Sequence, residues 1–228
     1  MREEHLISSK STALQATIMA NNVITYTAKE RLEETSDIDS KGLHVNSFNV
    51  KIESHTFSNG TGTITFAGEI TAIGHKGFYG CEDLTSIVIP DSVTIIRRNA
   101  FEGCKSLTSV AIPNSVKVIG YRAFAGCESL TEIIIPNSIT IIEEEAFLLC
   151  SGLKSIVIPN VVSKIRSGVF ERCESLESIT CHATTPPILE EFCFGGVLLS
   201  IPVYVPDEAV NAYKKADGWK DFKNILSI

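Results

Sequence analysis

Five of the seven cysteines stand at one interval: Cys81, Cys104, Cys127, Cys150 and Cys173, each 23 residues after the last. Thiols in such number could close disulfides or hold zinc. Disulfides fit poorly, because five thiols leave one unpaired and parallel side chains on neighbouring coils cannot reach a torsion of about 90°. Zinc fits no better, since a straight column cannot surround one ion tetrahedrally. The recurring cysteine is therefore read as a small buried hydrophobe that repeats a volume. Cys173, Cys181, His182 and Cys193 form the one mixed cluster, but their spacing matches no familiar ligand pattern and core cysteines beside a surface histidine are the preferred reading. The remaining histidines, His5, His44, His55 and His75, are scattered, and no G-x-S-x-G or Gly-rich phosphate loop accompanies them. Paired carboxylates occur only in surface runs such as Glu143, Glu144 and Glu145, where Arg122 is expected to form a surface pair with Glu145. No catalytic residue, metal ligand or cofactor is assigned, and an enzyme is not expected.

What must be positioned, then, is the repeat itself. Phe78, Phe101, Phe124, Phe147 and Phe170 keep the 23-residue interval, as do Pro90, Pro113, Pro136 and Pro159, and a fixed period over so many columns means a solenoid. The first half of each unit reads L-x-x-[IV]-x-I, as in Leu107, Val110 and Ile112, which suits a strand with one buried face. The proline ends that strand and the Asp or Asn after it makes a corner. The second half adds two apolar columns, Val93, Val116, Ile139, Val162 and Ile96, Ile119, Ile142, Ile165. Beside them Ile95, Val118, Ile141 and Lys164 make a column whose lysine implies partial exposure. One unit buries too little alone, so stability must come from stacking.

Composition is that of a globular protein, 44% hydrophobic and 21% charged. A formal charge of −7 argues against nucleic acid, and no run approaches the length of a membrane helix. Glu3 and Glu4 stand where a secretory leader would be basic, so no signal peptide is read, and Met19 competes with Met1 as the native start.

The phrase "FEGCKSLTSVAIPNSVKVI" and its copies resemble the BspA-like (Treponema-type) leucine-rich repeat family, closely so from Ile64 to Cys181. The usual Asn or Cys after the strand is replaced by Ser92, Ser115, Ser138 and Val161, so other groups must satisfy the corner backbone. The resemblance implies a leucine-rich repeat solenoid, right-handed, curved and β-rich within the α/β class, and a role in adhesion or protein recognition at a cell surface or after secretion; the missing leader keeps a cytoplasmic location open. The expected organisation is an N-terminal extension over 1–22, a β cap over 23–63, the array over 64–185 and a strand-helix cap over 186–228. Ile64, Phe66, Ile70 and Ile73 are expected to form one coil before Phe78, "HTFSNGTGTITF" a hairpin, and "KERLEETSDIDSKG" a loop or short helix. Val203 to Val205 should be the last strand, with Asp207 capping a helix and Val210, Tyr213, Trp219 and Phe222 covering the final coil.

Between the buried positions of the first strand two columns point outward. One is Ser86, Ser109, Glu132, Ser155 and Ser178; the other is Val88, Ala111, Ile134, Val157 and Thr180. A row of exposed aliphatics marks either a contact surface for a protein or peptide partner or a plain sheet face that favours β-branched residues. The first reading makes the chain a monomeric binding module, without nucleic acid or membrane insertion. The second makes it a structural or scaffold repeat, intracellular or phage-associated, with no ligand on that face.

Overall fold

The computed structural model describes residues 21–37 and 39–228. The expected extension over 1–22 therefore lies outside the described residues except for Asn21 and Asn22, whose carbonyls accept from the Ile70 and Phe66 amides. The chain opens with β1 (Val23–Ala28), passes through the short parallel pair β2 (Glu34–Thr35) and β3 (Leu43–His44), and enters the hairpin β4 (Ile52–Ser58) and β5 (Thr61–Phe66). Asn59 and Gly60 join the hairpin with φ of 50° and 77°, the paired left-handed values that match the twist of the flanking strands. Among the described residues, the charged stretch between β1 and β3 holds bends, a turn and the two-residue β2, and bears no helix.

From there each coil contributes a longer first strand and a two-residue second strand. They run β6 (Ala72–Ile73), β7 (Leu84–Val88), β8 (Ile95–Ile96), β9 (Ser109–Ala111), β10 (Val118–Ile119), β11 (Glu132–Ile134), β12 (Ile141–Ile142), β13 (Ser155–Ile158), β14 (Lys164–Ile165), β15 (Ser178–Cys181), β16 (Ile188–Leu189) and β17 (Pro202–Val205). The result is a β-solenoid of about seven turns with repeats of ~23 residues. Equivalent residues pair in parallel register, Ser155 on Ser178 and Ile156 on Ile179 for example, so one buried column becomes one interior file.

The phenylalanine file shows what the period is for. Rings 78, 101, 124, 147 and 170 stack with centroids 5.1 to 5.6 Å apart and planes within 8° of parallel, and every one of the five rings is fully buried. Phe194 continues the file at 5.4 Å although it follows Phe170 by 24 residues, so the extra residue is absorbed before the ring. Aromatic side chains close both ends: Phe48 meets Phe78 edge-on at 5.8 Å, and Phe222 meets Phe194 edge-on at 5.3 Å.

The expected coil before Phe78 is only half built. Its second half, β6, stacks in parallel on β8. Its first half, β5, does not reach β7: β1 lies between them, antiparallel to both, and the sheet order is β4-β5-β1-β7-β9. The buried spacing of Ile64 and Phe66 fits a coil and a hairpin alike, because both need alternate residues inside. An antiparallel strand here removes the open edge that a parallel first coil would leave. Asn49 treats the other edge, its Oδ1 accepting from the Thr71 and Ala72 amides at 2.9 and 3.3 Å.

Two further expectations are corrected at the C-terminal end. Val203 to Val205 is not the last strand, since β18 (Asn224–Ser227) pairs with β17 in parallel. Asp207 makes no side-chain cap: it begins a 3-10 turn, Asp207–Ala209, before the short helix α1 (Val210–Tyr213). Tyr213, Trp219 and Phe222 are buried and Val210 packs beside them, so the covering role holds.

The strand ladders lapse at one boundary, although the Thr131 amide still donates to the Thr108 carbonyl there at 3.3 Å. Lys117 N–H donates to Thr94 and Gly120 N–H to Ile96, and the same bonds recur from Ser163 to Thr140 and Arg166 to Ile142. No such bond joins Thr140 to Lys117 or Glu143 to Ile119, and no ladder joins β9 to β11 or β10 to β12. The turn side stays closed there, with Phe101 N–H on Ala123 at 2.7 Å and Gly103 N–H on Ala125 at 2.8 Å.

Candidate functional site

The thiols are part of the framework. Cys104, Cys127, Cys150 and Cys173 each aim Sγ at the carbonyl oxygen of the phenylalanine one coil back, 3.1 to 3.4 Å away. They fill a repeated volume, as expected, and also donate a repeated hydrogen bond, a role that apolar spacing alone does not reveal. Burial pushes the Cys81 and Cys173 thiols up to about 12 and the others in the same direction. The corner serines take the place of the missing asparagine: Ser92, Ser115 and Ser138 donate to the carbonyls of Ile70, Val93 and Val116.

Cys173, Cys181, His182 and Cys193 are not brought together as ligands. Cys181 accepts from the Tyr213 hydroxyl at 3.1 Å, Cys193 faces the Glu190 carbonyl at 3.0 Å, and His182 is exposed. Among the described residues no group of three or more His, Cys, Asp or Glu is placed to hold a metal. The corner charges pair with each other, Arg122 with Glu145 and Glu102, Arg166 with Glu143 and Glu144.

The sheet face carries both outward columns. Register places Ser86 beside Ser109, Glu132 beside Ser155 and Ser155 beside Ser178, and it places Val88 beside Ala111, Ile134 beside Val157 and Val157 beside Thr180. Val88 is 60% exposed, Ile134 72% and Val157 39%. Ser86 is the least available, half-buried where Thr27 meets it at 2.7 Å. The aliphatic row also runs farther than the repeat columns suggest: Tyr204 lies beside Thr180 and Leu226 beside Tyr204, both exposed. Alternation in "PVYV", with Val203 and Val205 buried, is the signal that assigns Tyr204 to the outer face. A depression of about 640 Å³ opens in this face along β9 and β11 and the corners after them, bounded by Ala111, Glu132, Ile134, Val157, Asn114 and Asn137.

A second outward column, on the two-residue strands, runs Val118, Ile141, Lys164 and Ile188, its aliphatic members 37 to 66% exposed. The partial exposure inferred from Lys164 is thus seen along that column.

A family model described as BspA type leucine rich repeat region matches residues 71–198 in six copies. The chain belongs to that family. Among solved structures, the BspA type chain is similar to a leucine rich cell surface protein of Faecalibacterium prausnitzii, at 35% identity over 50% of this chain and 30% of that one, with a TM-score of 0.49. The T. pallidum leucine rich repeat protein matches at 27% identity over 68% of this chain and 75% of that one, TM-score 0.49. Pneumococcal vaccine antigen PcpA shares the fold at 21% identity and TM-score 0.57, over 69% of this chain and 39% of that one. The chain thus spans under a third of the F. prausnitzii protein. No curated protein matches it.

Proposed function

We propose that the chain is a non-enzymatic binding module that docks a protein or peptide partner, as a monomer, on the outward face formed by the first strands of its coils. What supports this most is the length of the outward row, which runs Val88, Ala111, Ile134, Val157, Thr180, Tyr204 and Leu226 across successive coils and is mostly aliphatic or aromatic, with serines alongside. Such a face offers rigid, evenly spaced side chains at little ordering cost. The relatives named for a cell surface and for a vaccine antigen favour a place outside the cell.

A scaffold role without a ligand on that face is the second reading. The exposed row of Val118, Ile141 and Ile188 favours it, because two aliphatic rows on two sheets are what strand propensity alone would produce. The two readings separate in one experiment. An array of extracellular matrix and secreted proteins is probed with the wild type, with V88K/I134K/V157K and with V118K/I141K/I188K. A binding module loses its partner only in the first variant; equal retention in both variants, or no partner at all, supports the scaffold.

A further inference from the structure

The lapse of the ladder between β9 and β11 coincides with two departures from the repeat. Ala111 is the smallest member of its row, set between Val88 and Ile134, and leaves a notch in the strip. Glu132 stands where the neighbouring coils have serine, and among the described residues it has no ion pair, unlike Arg122 and Arg166 at the corners. Ser109–Ala111 and Glu132–Ile134, tied only by the Thr131 amide on the Thr108 carbonyl just before them, share no ladder beside the depression of about 640 Å³. A depression with apolar walls beside a weakened strand junction is a place where one side chain of an extended segment can be buried.

We infer that this depression is the specificity pocket of the docking face, and that it takes an aliphatic side chain of an extended partner segment whose adjacent lysine or arginine pairs with Glu132. The inference rests on the sheet-face reading. The aliphatic anchor fills the notch over Ala111 against Ile134 and Val157. The base meets the single carboxylate of the serine column, which favours basic partners and rejects acidic ones. Asn114 and Asn137 also line the depression and are exposed, their side-chain amides available to the segment's main chain.

The test is selection of a random peptide library displayed on phage against the immobilised full chain, followed by binding measurements with the winning peptides. Enriched peptides should carry Lys or Arg within two residues of Leu, Ile or Val. Their binding should fall at least about tenfold with E132K and be regained when the peptide's base is replaced by Glu. A111W should block the same peptides, and A111L weaken them, with melting temperatures unchanged; A111L and E132K carry the test if A111W misfolds. Peptides lacking the basic-aliphatic pair, indifferent to E132K and A111L but lost in V88K/I134K/V157K, would overturn the pocket and leave the face standing. Peptides indifferent to every variant, or no enrichment, would overturn both.

Discussion

The thiol of Cys127 points at the carbonyl oxygen of Phe101, 3.3 Å away in the preceding coil, and Cys150 repeats that contact on Phe124 at 3.2 Å. A thiol so placed is both buried and committed, so its proton is hard to remove. The native protein should therefore resist an aromatic disulfide reagent at pH 8, and all seven thiols should react once denaturant unfolds the chain. Rapid reaction of Cys127 in the folded state would show that the file is open.

Phe124 sits between two parallel rings, so removing it leaves a void that neither neighbour can fill. Phe124→Ala should cost about 3–5 kcal/mol by chemical denaturation. Arg122→Ala removes only a partly exposed pair and should cost no more than about 1 kcal/mol.

Much of the array is legible in the sequence. The interior files follow from spacing because a stacked repeat has one solution for residues at equal intervals, and Phe101, Cys104 and Leu107 lie where the period puts them. The caps are less legible. Ile64 and Phe66 carry the same buried alternation in a hairpin as in a coil, and nothing local tells β5 that β1 will slip in front of β7. At the site, alternation makes the rows legible but not the lapse between β9 and β11, since it consists of ladder bonds not made and Ala111 and Glu132, both on the outer face, do not foretell it.

The N-terminal cap carries a pH-sensitive link. His55 Nδ1 lies 2.8 Å from Glu34 and Nε2 2.6 Å from the Tyr26 hydroxyl. A neutral ring serves both, donating to the carboxylate and accepting from the phenol. Burial holds the imidazole below its usual range, only partly opposed by Glu34, and burial acts on His44 in the same sense. With the folded value depressed, the cap keeps its full stability above the unfolded histidine value of about 6.5 and loses it as pH falls through the lower folded value. Hydrogen exchange of the β1 and β5 amides should therefore quicken between pH 7 and 5 relative to β13. H55Q should flatten that difference; an unchanged profile would remove His55 as its source.

Leu149 has φ of 60° at the corner where Gly80, Gly103 and Gly126 also take positive values. A side chain there costs roughly 1–2 kcal/mol, partly offset by glycine's greater freedom when unfolded. Leu149→Gly should leave stability unchanged or raise it by up to about 1 kcal/mol, read from the denaturation midpoint, whereas Gly126→Leu should lower it by about 1–2 kcal/mol.

The account stands on coils of one length sharing continuous interior files, and excision of one coil tests that most directly. Deleting Phe147 to Val169, one period of 23 residues, joins Ala146 to Phe170 and preserves every file. This shortened chain should fold and unfold cooperatively at reduced stability. Deleting only Phe147 to Arg166 puts each later side chain out of register and should leave the downstream part unfolded. Equal tolerance of the two deletions, or equal collapse, would contradict the stacked architecture.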